Sequence, residues 1–517
     1  MADNFSDSQV IRKPVVATRG GVVAAQHRRA AEVGAAVLEA GGDAVDAALA
    51  TSFAIGVLEP WMSGLAAGGC MIVQRAGEAR AHAVDYGMRS PRELDPADYP
   101  LAGGGKAQDL FAWPRVKDDR NVQGATAVAV PGVVAGMALV HERFGRMPWR
   151  ELVAPAVALA REGMLVDWYA GLLIASNARV LSLDPDAAAL FLEDGRWPPQ
   201  LSWTSATEKH LDQKALSSSL ETISREGAKA LYGGDVGRAL ARDIRAKGGC
   251  LSIADLESYR PHIVDALEIP YRGSRIFAAP GMTGGPTLAR AFQVLSQDAK
   301  PSYLSYAKAL DTAWAERLQT MGDREGCTTH FSVVDRAGNM CAVTQTLLSV
   351  FGARVVSPST GIPLNNGIMW FDPEPGRPNS LAPGRRCLGN YCPVVGETPD
   401  GRRFALGASG GRKILGTVLQ LASFLIDHGA SLEEAFHRSR IDMSGEGRVI
   451  ADRALPPDVI RQLNEFMAVT TARRGIFPYA FAVPAGVLRE GGLNMGCTEI
   501  MSPWGDAVAE KRIERQE

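Results

Sequence analysis

The chain has almost no charge imbalance: over 517 residues, 55 Lys and Arg stand against 57 Asp and Glu, a formal net charge of -2. Nucleic acid is held through a basic footprint that displaces counterions from phosphates, so DNA or RNA binding is disfavoured. Cysteine is sparse. The seven (Cys70, Cys250, Cys327, Cys341, Cys387, Cys392 and Cys497) are odd in number, widely spread and without a CxxC pair, which argues against a disulfide framework and against structural zinc. No apolar run reaches the ~18 residues of a membrane-spanning helix. The opening MADNFSDSQVIRKPVVATRG also lacks the apolar run of a signal peptide, so the expectation is a cytoplasmic protein with no membrane partner.

What the chain does have is 46% apolar residues, enough for a substantial core, with 55 Gly and 30 Pro placed between periodic segments rather than in tracts. Its length fits about three ordinary domains or one large layered one. Residues 20–60 read as two helices: GVVAAQHRRAAEVGAAVLEA has apolar residues at helical spacing and stops at Gly41-Gly42, and DAVDAALATSFAIGVLEP resumes with Asp43 as its cap. A glycine turn over residues 63–69 then feeds a buried strand, CMIVQRA, with AHAVDYG as its antiparallel neighbour.

Helical patterns dominate 128–295: PGVVAGMALVHERFG, PWRELVAPAVALAREG, GGDVGRALARDIRAKGG, SIADLESY and GGPTLARAFQVLS. LEIPYRGSRIFAAP is the lone sheet signal among them. Residues 180–205 read as a surface excursion that Trp197 and Trp203 pack down. After residue 328 the period changes to two. THFSVVDRAGNMCAVTQTL is a hairpin, RRFALGAS a strand, GRKILGTVLQLASFLIDHG a helix after a glycine turn, and SLEEAFHRSR a helix with a Ser431/Glu434 capping box. Strands bracketed by helices point to a layered α+β sandwich rather than alternating βαβ units.

The hairpin allows one geometric expectation. Its turn, Asp335-Arg336-Ala337-Gly338-Asn339, is centred on residue 337, so a regular antiparallel register sets Thr328 opposite Thr346. By itself this is an ordinary cross-strand threonine pair. Gly410-Gly411 similarly reads either as a plain glycine helix start or as backbone N–H groups turned toward a developing oxyanion, and its surroundings lack the spacing of a phosphate loop.

These residues also carry a resemblance. Thr328-Thr329-His330-Phe331-Ser332-Val333-Val334-Asp335, followed by Gly338-Asn339 and Ala342-Val343-Thr344, resembles the self-cleavage and nucleophile segment of the gamma-glutamyltranspeptidase family, which belongs to the N-terminal-nucleophile hydrolases. Residues 41–48 (GGDAVDAA), Gly68-Gly69, Pro131-Gly132-Val133, Gly248-Gly249, Asp255-Leu256, Pro280 with Gly284-Gly285, Gly361 with Asn365-Asn366, and Gly407 to Gly411 follow in the family's order. The resemblance implies a four-layer αββα sandwich and self-cleavage between Cys327 and Thr328. It further implies a 1–327 large chain and a 328–517 small chain that stay intertwined, with room for a homodimer of processed pairs. The Thr328 hydroxyl would be the nucleophile and its own freed amine the base. Thr346 would orient the hydroxyl, and Gly410 and Gly411 would bind the oxyanion. No metal or other cofactor is called for. A cut one bond earlier would instead free Cys327 as a thiol nucleophile; His330 reads as a strand residue satisfied by hydrogen bonds.

The substrate positions depart from the family. Where other members have an Asn two residues beyond the second threonine, Leu348 stands here. Gly367-Ile368-Met369-Trp370-Phe371 replaces the residues that hold a glutamyl amino group, and Gly389-Asn390 replaces a pair of serines. Gly87 aligns with a carboxylate-binding arginine, for which Arg89 is an out-of-register substitute. An unpaired buried ammonium or carboxylate costs several kcal/mol. The expectation is therefore a self-processing amidohydrolase for a small non-glutamyl acyl group, oxamate-like or a dicarboxylic monoamide, as in the oxamate amidohydrolase and cephalosporin acylase-like branches. The alternatives are a true γ-glutamyl hydrolase or transpeptidase acting on glutathione, and a silent ligand-binding member.

Overall fold

The computed structural model describes residues 10–106, 113–200, 208–321, 327–444 and 447–511. Its centre is two seven-stranded sheets, antiparallel throughout. The first runs Asp506–Ala509, Val22–Ala25, Cys327–Val334, Met340–Leu348, Gly68–Gln74, His82–Tyr86, His262–Asp265. The second runs Val16–Thr18, Leu493–Thr498, Val483–Glu490, Arg403–Ser409, Val394–Glu397, Ser274–Ala278, Leu267–Tyr271.

The period-two alternation of the hairpin decides how the layers stack. Phe331, Val333, Cys341 and Val343 point outward into a core shared with the helices Arg28–Glu39, Ala44–Leu58, Val133–Phe144 and Trp149–Glu162. Val334, Met340 and Ala342 point the other way, against Val395, Ala405, Ala485 and Val487 of the second sheet. That sheet's outer face is covered by Gly285–Leu295, Tyr303–Thr320 and Lys413–Ile426. Two apolar faces on each sheet need three cores and four layers. The architecture is the αββα sandwich.

The helix Ala44–Leu58 is buried at every residue, in keeping with a sequence in which Asp46 is the one charged side chain. Asp43 caps it, accepting from Val45 and Asp46 N–H, while Asp46 reaches back to the Asp43 N–H. The capping box at Ser431/Glu434 is present as expected. Three expectations are corrected. Val22–Ala25 is a strand, not the start of a helix, because it pairs on both sides, with Cys327–Val334 and Asp506–Ala509. His262–Asp265 is a strand that local pattern did not reveal, recruited by the edge at His82–Tyr86. Trp197 does not pack down: it is 62% exposed, and Trp203 lies outside the described residues.

His330 fills the inter-sheet layer. It is fully buried, Nδ1 lies 2.9 Å from the Thr344 hydroxyl, Nε2 lies 2.9 Å from the Ser332 hydroxyl, and burial pushes its pKa down to about 3. The folded protein therefore refuses a proton that the unfolded chain accepts near ~6.5, so this group's stabilisation is complete above that pH and is lost progressively as pH falls toward 3. His330 also lies directly over Gly407, where an added Cβ would come within 2.2 Å of the ring. Gly407→Ala should lower stability by about 2 to 3 kcal/mol, read as a fall in the denaturant midpoint. Pairing it with His330→Ala should restore part of the loss, and a single variant as stable as the parent would contradict the contact.

Candidate active site

From Val334↔Met340 to Thr329↔Gln345 the hairpin follows the register expected from its turn, and then it slips: Cys327 pairs with Leu348. Thr328 thus sits at a β-bulge, against both Thr346 and Leu347 rather than opposite Thr346 alone. Bulges re-aim side chains, and this one falls where chemistry is expected. Thr328 is 4% exposed and Thr346 is fully buried, with its hydroxyl oxygen accepting the Leu348 N–H at 2.8 Å. Leu348 itself is held at φ +88°, a left-handed conformation that costs a leucine about 1–3 kcal/mol. The Cys327 side chain and residues 322–326 lie outside the described residues.

Thr328 opens onto a cavity of about 300 Å3. Its walls are largely apolar, including Trp61, Tyr169, Leu173, Val350 and Phe481. Gly410 is also in the wall. Gly410 and Gly411 take φ +126° and +61°, left-handed values suited to glycine, and a Cβ at Gly410 would meet the Ala482 backbone at 3.0 Å. Among the described residues neither glycine's N–H donates a hydrogen bond. Two vacant backbone donors at the start of the helix Lys413–Ile426 are suited to a developing negative charge.

Polar groups that the sequence did not single out complete the cavity. Glu59 is buried, accepts the Thr329 hydroxyl at 2.7 Å, and is pushed up to about 7 by burial, against the lowering effect of that hydrogen bond. Gln26 accepts the Ser409 hydroxyl at 2.9 Å and donates to the Val483 carbonyl at 2.7 Å. Lys413 is the cavity's cation, its ammonium donating to the Tyr479 carbonyl at 3.1 Å. Glu59 had one sequence signal, a carboxylate closing an otherwise apolar helix. Gln26 and Ser409 had none.

The remaining candidates form a buried wall apart from this lining. Leu348 and Trp370 share one apolar cluster with Met88 and Tyr391, and the Trp370 and Tyr391 rings meet edge to face at 5.3 Å. Gly367 leaves no room for a side chain, since a Cβ would lie 2.7 Å from Ala129 and 2.9 Å from the Met88 sulfur. Arg317 ties down the Gly389 carbonyl at 3.1 Å and the Asn390 carboxamide oxygen at 3.2 Å. Arg89 joins the wall through backbone bridges to Val130 and Arg386. The guanidinium nearest Gly87 belongs to Arg386, which donates to the Gly87 carbonyl at 2.9 Å and to Asp85 at 3.1 Å. Asn365 and Asn366 are architectural: Asn365 joins Ala66, Ala129 and Gly367, and Asn366 joins Val122 and Ser349. Among the described residues no cluster of three or more His, Cys, Asp or Glu is arranged to hold a metal, and no helix is long and apolar enough to cross a membrane.

Comparison with known proteins places the chain as a whole. The sequence matches the Gamma-glutamyltranspeptidase family model over residues 30–326 and 316–476. It is 34% identical over 502 residues to the acylase ACY 1 proenzyme of Pseudomonas sp. (strain V22), covering 87% of each chain. It is 28% identical to the glutathione hydrolase proenzyme of Escherichia coli (strain K12), covering 87% of this chain and 85% of that protein. The fold matches the crystal structure of cephalosporin acylase from Bacillus halodurans with a TM-score of 0.85 at 23% identity, over 99% of this chain and all of that one. With its sequence matched along most of its length, the chain belongs to the gamma-glutamyltranspeptidase family and is an enzyme of the hydrolase or transferase kind.

Proposed function

We propose that the protein is a self-cleaving amidohydrolase in which Thr328 attacks the substrate amide. The reading rests above all on one juxtaposition: the buried Thr328, at a bulge, shares a cavity with Gly410, whose N–H is unengaged. The word proenzyme in the relatives' names supports processing of the chain, and the cut between Cys327 and Thr328 is the one that would free Thr328. The topology explains how a 1–327 chain and a 328–517 chain would stay together, because Val22–Ala25 lies between two stretches of the second piece, pairing with Phe331 to Val334 on one side and Asp506–Ala509 on the other.

In the cleaved form the Thr328 α-amine titrates near ~7.7 to 8.0, so part of it is neutral at pH 7 and can take the hydroxyl proton. The hydroxyl oxygen bonds to the acyl carbon, and the oxyanion is received at Gly410 and Gly411. The amine then returns the proton to the leaving nitrogen, and water releases the acyl group. Thr346 holds the turn against which the hydroxyl is oriented.

For the acyl group, the apolar walls and the single ammonium of Lys413 favour a dicarboxylic monoamide, with its methylene stem against Trp61 and Leu173 and its terminal carboxylate toward Lys413. An oxamate-like group has no stem to bury and fits less well.

Two tests follow from this proposal. Mass measurement of the denatured protein should find two chains, the smaller beginning Thr328-Thr329-His330. Thr328→Ala should remain a single chain with turnover reduced by at least about a thousandfold, and substantial activity in it would end the mechanism. A glutaryl anilide should be cleaved faster than a γ-glutamyl anilide, and Lys413→Gln should raise KM for the glutaryl substrate about tenfold while leaving an uncharged acyl anilide little changed. Preference for the γ-glutamyl substrate would overturn the acyl assignment in favour of a glutathione-type hydrolase.

A further inference from the structure

Glu59 is unusually costly to keep. Its carboxyl is buried, and it stands at the carboxyl end of the helix Ala44–Leu58, where the helix dipole also disfavours negative charge. Neither penalty is relieved by an ion pair, since burial and the Thr329 hydrogen bond are the influences that act on it. A glutamine would accept the same hydrogen bond from Thr329 without the charge. Packing therefore does not account for an acid here, and a buried, perturbed carboxyl in the wall of a cleft is a functional candidate.

Its placement is rigid. The Glu59 N–H closes the helix on the Ile55 carbonyl at 2.8 Å, and its own carbonyl accepts from Met62 and Ser63. The turn that follows is pinned to the far strand of the hairpin and to the turn after it, because the Met62 carbonyl accepts the Leu347 N–H and the Trp61 carbonyl the Phe351 N–H, each at 2.9 Å. From this fixed point Oε2 holds the hydroxyl of Thr329, the residue after the nucleophile. Among the described residues Oε1 accepts no hydrogen bond.

We propose that Glu59 is a positioning and charge-balancing residue for Thr328: through Thr329 it fixes the strand that carries the nucleophile, and its carboxylate balances the ammonium formed when the Thr328 amine takes the hydroxyl proton. This rests on the reading of Thr328 as a freed N-terminal nucleophile. During attack the proton passes from the hydroxyl oxygen to the α-nitrogen, the oxygen–carbon bond forms and the carbonyl electrons move to the oxyanion. On collapse the carbon–nitrogen bond breaks and the ammonium returns its proton to the leaving nitrogen. Glu59 acts as its carboxylate, the form that a neighbouring ammonium favours, and neither gives nor takes a proton in these steps. A positive charge that appears and disappears in a buried site is stabilised most by a fixed opposite charge that needs no reorganisation.

The other groups around the carboxyl do not take this role. Gln26, Ser409 and Thr329 are neutral, and burial holds His27, next to Gln26, down to about 3 and so uncharged near pH 7. The Tyr479 phenol, 3.3 Å from that of Tyr169, is pushed up to about 12 by burial. Lys413, whose ammonium donates to the Tyr479 carbonyl, is itself a cation and cannot balance another ammonium.

The test uses the full-length protein with Glu59→Gln and Glu59→Asp, checked by mass for the Thr328-initiated chain and assayed with an acyl anilide across pH. Glu59→Gln should lower kcat about tenfold or more with KM little changed, and the acid limb of kcat/KM should move to lower pH, because an ammonium without its counterion loses its proton more readily. Glu59→Asp should keep the limb in place. The pKa of the Thr328 α-amine, measured by pH-dependent labelling and so independent of turnover, should fall in the Gln variant. An unchanged amine pKa and acid limb in Glu59→Gln, or equal losses in both variants with the limb unmoved, would overturn the proposal. If the parent protein yields no Thr328-initiated chain, the nucleophile reading itself fails, a result distinct from either.

Discussion

The antiparallel pairing of Cys327–Val334 with both Val22–Ala25 and Met340–Leu348 is the constraint on which the rest depends. A central strand has both faces covered, and alternation sends Phe331 and Val333 toward helices and His330 and Val334 toward a second sheet. The register holds until Thr329 and breaks at Thr328. The regular ladder supplies rigidity, and the bulge takes one residue out of it. A hydroxyl that must react has to leave the regular ladder without leaving the rigid frame.

The reactive end is then assembled from segments distant in sequence. The glycines at 410 and 411 follow directly from the strand Arg403–Ser409, which faces Cys327–Val334 across the inter-sheet layer. Gln26 spans the same end of both sheets, bonded to Ser409 and Val483, and lies 3.5 Å from the Thr329 hydroxyl. Glu59 reaches Thr329 from the helix layer. Thr328 and the Gly410-Gly411 segment are thereby referred, through their neighbours Thr329 and Ser409, to one polar network in an otherwise apolar site, where low dielectric strengthens each of its members.

The positions that depart from the family are filled rather than left open. Leu348, Trp370, Tyr391 and Met88 pack together, Arg317 immobilises Gly389 and Asn390, and Arg386 is committed to Asp85 and the Gly87 carbonyl. A wall made in this way offers no cluster of carboxylates to an ammonium.

Much of this was legible in the residues. Period-two alternation gave the hairpin, Asp43 and Ser431 gave helix starts, and the order Thr328-Thr329-His330, Gly410-Gly411 gave the family and a candidate nucleophile. These are local signals, carried by neighbours in the chain. Pairing between distant segments has no such signal: Val22–Ala25 reads as helix until its two partner strands are known, and the slip that moves Thr328 off Thr346 arises where Cys327 meets Leu348. Glu59 and Gln26 become functional candidates only because tertiary packing buries them beside Thr329 and closes a cavity over Thr328. Sequence determined which chemistry the chain can carry, since that lies in residue identity; the fold decided which groups share one dry space, because burial and proximity are properties of three dimensions.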